Sequence, residues 1–231
     1  MKLSRVFENR KRLEIISAGC YIKLEQVVTG KVMPDVKVLT LWKDDKINEE
    51  ETLVLRKLCE DIRVPFDEER KKEIRTLVDA FLSMDDAAGL AAPQIGISKK
   101  IIIFRNKGFN EKGWSKNEDD YELLINPRIT QARGEMVTMT EGCLSCPEIQ
   151  AEVSRFPEIK VKAFDISGRK INKRYTDYVA RVAQHEIDHL AGKLIIDCEG
   201  PLYIPKQKQE FFERTFEKIK AVTGDGIPRN I

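Results

Sequence analysis

Thr176-Asp177-Tyr178-Val179-Ala180-Arg181-Val182-Ala183-Gln184-His185-Glu186-Ile187-Asp188-His189-Leu190-Ala191-Gly192 is the stretch on which the reading of this chain turns. Thr176 is a good helix N-cap, Gly192 is a helix stop, and no proline or glycine interrupts the residues between them. Within this run His185-Glu186-Ile187-Asp188-His189 sets two imidazoles four residues apart, on one helix face and close enough to share a metal ion. Glu186 lies about 100° round the helix from His185, so it can approach a water at that metal without being a ligand. The chain has only two histidines, and both fall here. Two solvated histidines on a polar face are the plain alternative, and the confinement of all histidines to one capped helix argues against it.

Two histidines leave a metal site incomplete, because a catalytic centre of the zinc type takes three protein ligands plus water. Leu190-Ala191-Gly192-Lys193-Leu194 follows the motif and supplies no third ligand. Upstream, Glu141-Gly142-Cys143-Leu144-Ser145-Cys146-Pro147 ends a strand-like run, and Gly142 permits a close backbone approach. Cys143 and Cys146 also form a C-x-x-C, which fits a redox pair or half of a zinc knuckle. No second C-x-x-C exists, and Cys20, Cys59 and Cys198 are scattered. A third constellation, Ala88-Gly89-Leu90-Ala91-Ala92-Pro93-Gln94-Ile95-Gly96, combines small residues with the uncharged donor of Gln94. Taken alone, it reads as a tight linker packed against a sheet.

The rest of the chain fixes the class. Asp67 caps a helix whose apolar stripe is Ile74, Leu77, Val78, Phe81 and Leu82, ending near Asp85 or Asp86. The isoleucine-rich residues 100–105 read as a buried strand, and 106–121 as a polar, glycine-containing loop. Strand-like runs follow at 122–125, 135–140, 151–156 and 159–164, and Asp165-Ile166-Ser167-Gly168 turns the last of these into 170–175. The helix of the opening stretch spans 176–191, and a last helix spans 206–222 with Phe212, Phe216 and Ile219 on one face. Strands grouped between helices indicate an α+β fold. With 40 basic and 38 acidic side chains the net charge is +2, which gives no bulk affinity for nucleic acid or anionic lipid and no reason to expect specific DNA binding. No apolar run approaches a membrane span, and the mean hydropathy of −0.39 agrees. Lys2, Arg5, Arg10, Lys11 and Arg12 before an apolar stretch ending at Cys20 loosely resemble a lipoprotein signal. The stretch is too short and carries Glu14, so a cytoplasmic location is expected, and five cysteines without a framework fit a reducing compartment.

Three segments in this order, Gly89-Leu90-Ala91-Ala92-Pro93-Gln94, Glu141-Gly142-Cys143-Leu144-Ser145 and Gln184-His185-Glu186-Ile187-Asp188-His189, resemble the signature motifs of the peptide deformylases. The likeness extends from about Leu53 to Ile204 and includes Ile125-Asn126-Pro127. It implies mixed and antiparallel sheets around a central helix that bears the two histidines. It also implies one divalent metal ion held by Cys143, His185 and His189, with Fe2+ as the working ion and Zn2+ or Ni2+ able to replace it. Glu186 is then the proton carrier, and the Gln94 amide and the Leu144 backbone N–H are the oxyanion donors. The implied reaction is hydrolysis of the N-formyl group from the initiator methionine of new polypeptides, releasing formate.

Residues 52–205 form the catalytic domain in this reading, with 1–51 an accessory segment, strand-like around 37–42, and 206–231 a C-terminal helix and tail. Tyr178, Arg181 and Val182 share the face of His185 and are candidates for the substrate pocket, Arg181 being awkward there unless its head reaches solvent. Backbone near Gly89 and Gly142 would pair with an extended N-formylmethionyl peptide by strand addition. The resemblance implies that the C-terminal helix can contact the ribosome, through Lys206, Lys208, Arg214, Lys218 and Lys220; a solvated face of a packing helix is the plain alternative, because Glu210, Glu213 and Glu217 offset much of that charge. One departure stands out: the first motif usually begins Gly-x-Gly, and this chain has Ala87-Ala88-Gly89. If the first position needs a positive φ or a close approach, Ala87 shifts the loop or narrows the cleft, and Ala88, in place of the larger aliphatic residue common in the family, widens the pocket. A related amidohydrolase acting on another formylated amine, or a metal-binding module without turnover, therefore remains open.

Overall fold

The computed structural model describes residues 36–107 and 120–223. Residues 1–35 of the accessory segment, with the basic stretch before Cys20, lie outside them, as do most of the expected 106–121 loop and the Lys220 side chain. Two sheets carry the fold. A five-stranded sheet has the order β3 (Gly89–Ala91), β4 (Ile101–Arg105), β5 (Tyr121–Arg133), β8 (Glu158–Phe164) and β9 (Lys170–Thr176). A three-stranded sheet has the order β10 (Leu202–Tyr203), β7 (Cys146–Arg155) and β6 (Val137–Cys143). The pairings within both sheets are antiparallel, so the mixed sheet expected from the family is not found among the described strands. Parallel pairing is confined to one isolated bridge, Glu60 with Lys99.

The run of isoleucines in β4 is explained by burial on both faces. Ile101 and Ile103 pack with Ile74, Leu77, Val78 and Phe81 of α2 (Glu68–Leu82). Ile102 and Phe104 point the other way, into a cluster with Ala180, Val182, Ala183 and Leu190 of α3 (Asp177–Leu190). A strand between two helices has no polar face to keep, so the period-two alternation disappears. Each such side chain contributes about 1.5–3 kcal/mol by burial. The Asp67 side chain caps α2 by accepting from Arg70 N at 2.8 Å.

Three expectations are corrected. β5 runs through Asn126-Pro127 rather than stopping at 125, because register shifts on either side of Arg128 and Ile129 absorb the proline. Asn126 adopts φ +51°, and its side chain closes a pair of 2.8 Å bonds with the backbone of Ile62. Thr176 precedes α3, but its hydroxyl makes no capping bond; Asp177 turns sharply at φ +53° and its N–H donates to Pro157 O at 2.7 Å. The expected strand at 37–42 shrinks to β1 (Trp42–Lys43), paired with β2 (Lys46–Ile47). The residues before it bond irregularly to other elements: Leu39 N donates to Gln94 O at 2.7 Å and Leu41 N to Ser145 O at 2.9 Å.

Both flanking segments enter a third core, formed by Leu41, Trp42 and Leu55 with Cys146, Ile149, Val153, Leu194 and Ile195. Phe212 and Ile219 of α4 (Gln209–Thr223) complete it, and Phe216 packs at its margin. The Trp42 ring meets Phe212 edge-on at 5.2 Å and its indole N–H donates to Pro147 O. Helix α1 (Glu49–Leu55) runs across residues 51 and 52.

Candidate metal centre

Two elements converge on one point. Strand β6 delivers Cys143 at the closed end of its hairpin with β7, and α3 delivers His185 and His189 from successive turns. One donor atom from each of these side chains lies within 4.8 Å of the others. His189 Nε2 stands 3.4 Å from Cys143 Sγ, and the two imidazole centroids are 5.1 Å apart. A thiolate and two imidazoles at this spacing match the donor set of a single divalent transition metal ion.

Glu141 holds His185 in place. Its Oε2 lies 2.9 Å from His185 Nδ1, leaving the other ring nitrogen for a metal. The same carboxylate accepts from Arg155 Nε at 2.7 Å, Arg155 Nη2 at 2.9 Å and Arg181 Nη1 at 2.6 Å. Arg155 also reaches Asp188 on α3 at 2.8 Å. Burial works to raise the Glu141 pKa, but the hydrogen bonds from His185 and Arg155 outweigh it and hold the group at about 2. Burial likewise opposes charge on His185, yet bonds to Cys143 and Glu141 lift its pKa well above the usual value. The Cys143 thiol is lowered by a bond from the Cys146 thiol and by the imidazole charges, against burial.

Glu186 is a different kind of buried carboxylate. It is 4% exposed, and its Oε2 has no hydrogen-bond partner among the described residues. Burial raises its pKa to about 7. Gly89 makes room for it: a Cβ at that position would fall 2.8 Å from Glu186 Cδ. The first motif is therefore the cradle of the acid on the third. Across the site, Gln94 is locked by Ala91 N, which donates to its Oε1 at 2.8 Å. The amide nitrogen then points toward Ser145 Oγ at 3.3 Å and Cys143 Sγ at 3.9 Å.

These groups open on a cavity of about 810 Å³ whose walls include Gln94, Gly142, Leu144, Tyr178, Val182 and Glu186. Leu144 sits at its mouth, 43% exposed. Arg181 also borders it, but its head does not reach solvent: the guanidinium is buried on Glu141 and the carbonyls of Val137 and Val153. Gly142 has open space where a Cβ would project, in contrast to Gly89. Ala87 is buried in the α2 core without a positive φ, so that part of the concern falls away, and it also borders the cavity; its carbonyl accepts from Arg105 Nε at 3.0 Å.

The Glu141–Arg155–Asp188 network was not foreseen from sequence. One signal was available: Glu141 stands two residues before Cys143 on a strand, so both side chains share a face. Arg155 offers no such clue, since its role depends on the β6–β7 register, which sets it opposite Val137.

Comparison with known proteins agrees. Residues 45–203 match the family model described as polypeptide deformylase. Peptide deformylase 1 of Rickettsia conorii is 38% identical over 137 residues, spanning 59% of this chain and 74% of that protein. A peptide deformylase 1 of Vibrio vulnificus is 35% identical over 133 residues, 56% of this chain and 74% of its own length. Among solved structures, the peptide deformylase of Thermotoga maritima superposes with a TM-score of 0.57 at 34% identity, covering 72% of this chain and 98% of that one. The Synechococcus elongatus enzyme in complex with actinonin gives 0.59 at 27% identity, covering 83% and 91%.

Proposed function

Because the chain belongs to the polypeptide deformylase family and so removes the N-formyl group from new polypeptides, we propose that Cys143, His185 and His189 hold its metal and that Glu186 carries the proton. The observation that carries this reading is the convergence of those three donors within 4.8 Å beside a buried carboxylate with an unpartnered oxygen. In this reading α3 is the central helix of the family fold and Fe2+ is the working ion, with Zn2+ or Ni2+ able to fill the same donor set. When bound, the ion supplies Lewis-acid charge to the reacting water and carbonyl.

The chain's own groups do the rest. Glu186 accepts the proton of the attacking water and returns it to the leaving amine nitrogen as the formyl C–N bond breaks, so formate and a free α-amine leave together. The raised pKa of Glu186 suits a group that must hold a proton between those two events. The Gln94 amide, fixed by Ala91, and the Leu144 N–H donate to the oxygen that gains charge on the formyl carbon. Strands β3 and β6 each end their sheet, so an N-formylmethionyl peptide can add as an extended strand near Gly89 and Gly142. The methionine side chain then rests on Val182 and Tyr178, while Arg181 shapes the pocket from behind through Glu141.

Formate release from a formyl-Met peptide, measured anaerobically after reconstitution with iron or zinc, tests the assignment. Formate and free amine in equal amounts are expected. Hydrolysis confined to formylated amines other than peptides would move the chain to a related amidohydrolase, and no formate above the blank would leave a metal-binding module.

The setting of this reading is the cytoplasm, where new chains emerge; no helix among the described residues is long and apolar enough to cross a membrane. Helix α4 leaves Arg214 and Lys218 exposed, with Lys206 just before it, whereas Lys208 is engaged by Asp45 and Glu148. The proposal that this face meets ribosomal phosphate is weakened by that engagement and by the pairing of Arg214 with Glu210, but retains the exposed Lys206 and Lys218. Charge reversal at Arg214 and Lys218 should then lower co-sedimentation with ribosomes at low salt; unchanged sedimentation makes α4 a packing helix only.

A further inference from the structure

Cys146 has no part in the chemistry above, yet it faces Cys143 directly. The two are paired across the closed end of the β6–β7 hairpin, separated by the Leu144-Ser145 turn, and both side chains pack into the third core. Residues that close such a turn have Cα atoms less than about 7 Å apart, which overlaps the roughly 4.4–6.8 Å range of disulfides. Both border the cavity, but Cys143 is the partly exposed one and open to a small oxidant, whereas Cys146 is fully buried behind it.

We propose that Cys143 and Cys146 are a modification site for peroxides, closing to a disulfide that removes the sulfur ligand from the metal centre. Cys143 sulfur attacks one peroxide oxygen, the O–O bond breaks, and the second oxygen leaves as water after taking a proton. Cys146 sulfur then displaces the hydroxyl from the Cys143 sulfenic acid, the S–S bond forms, and a second water leaves. Two thiols lose two electrons and two protons, and one peroxide becomes two waters. A dithiol reductant reverses the change, so the buried partner guards Cys143 against irreversible oxidation. The loss of metal rests on the ligand assignment above, but the disulfide does not.

The full chain, metal-free and metal-loaded, is treated with a few equivalents of hydrogen peroxide. It is then read by intact mass, by alkylation of remaining thiols and by release of metal to a chromogenic chelator. Residues 134–155 form a single tryptic peptide holding both cysteines and no other. The expected product is about 2 Da lighter, unalkylated in that peptide and restored by dithiothreitol. Metal appears in solution in step with it. Cys146→Val and Cys146→Ala should instead accumulate at least ~10-fold more sulfinic and sulfonic acid at Cys143, which dithiothreitol does not reverse. Wild-type protein that gains oxygen at Cys143 while Cys146 stays alkylatable overturns the proposal, as does a disulfide mapping to Cys198. Formate assays on untreated protein keep a failure of the deformylase assignment separate from a failure of the disulfide.

Discussion

Glu141 and Glu186 are both buried carboxylates within the influence of His185, yet one is held ionised at about 2 and the other is raised to about 7. Burial pushes both upward, so partners make the difference. Glu141 collects Arg155, Arg181 and His185, while one oxygen of Glu186 meets no donor among the described residues. The first carboxylate is fixed and orients a ligand; the second is left free to exchange a proton. A site that needs one permanent charge and one mobile proton obtains them from the same residue type by opposite wiring.

The strongest way to break the comparison is to remove the fixed partner. Glu141→Ala strands two buried guanidiniums, with only Asp188 left to face Arg155, and should cost about 3–5 kcal/mol in urea unfolding. Metal affinity should fall ~10–100-fold as His185 loses its orienting acceptor. An unchanged unfolding midpoint and metal affinity would show the network to be incidental.

pH separates the two carboxylates. A group depressed to about 2 stabilises the fold above its unfolded value near 4.5, and that contribution disappears as pH falls through 2. A group raised to about 7 acts in the other direction: the fold is favoured below 4.5 and progressively loses that advantage as pH rises through 7. Glu186→Gln should therefore stabilise metal-free protein at pH 8 by roughly 3 kcal/mol relative to wild type and have little effect at pH 4. Equal effects at both pH values would mean that Glu186 is not the titrating group.

Gly89→Ala probes the space that Glu186 occupies. The new Cβ would meet the carboxylate, so kcat should drop about 10–100-fold through a displacement of about 1 Å, with metal content preserved. Gly142→Ala has open space and should change kcat far less, so the pair tests whether the crowding is specific. Cys146→Val is the smallest expected change, less than about 1.5 kcal/mol for a volume-conserving core swap. Metal and turnover should be retained in the absence of oxidant, and loss of metal would make Cys146 a ligand.

The sequence was most informative where one element determines the answer. The stripe of α2, the isoleucines of β4, the glycine stop at Gly192 and the histidine pair all depend on local spacing, and they stand as read. It was least informative where distant segments meet. Asn126-Pro127 looks like a strand end because the bulged register that carries it through is a property of the β5–β8 pairing. Residues 39–41 look like a strand because their apolar pattern is real, but their backbone bonds go to Gln94 and Ser145, one from each motif beside the site. Arg181 shares the helix face of His185 as spacing requires, yet Glu141 draws its charge inward.

Turnover by Glu186→Gln at matched metal content tests the central claim most directly. Glutamine keeps the shape beside Gly89 and removes the proton acceptor, so formate release from a formyl-Met peptide should fall by roughly 10²-fold or more with the metal fully retained. Wild-type turnover at full metal occupancy would contradict the assignment of Glu186 as the group that moves the proton.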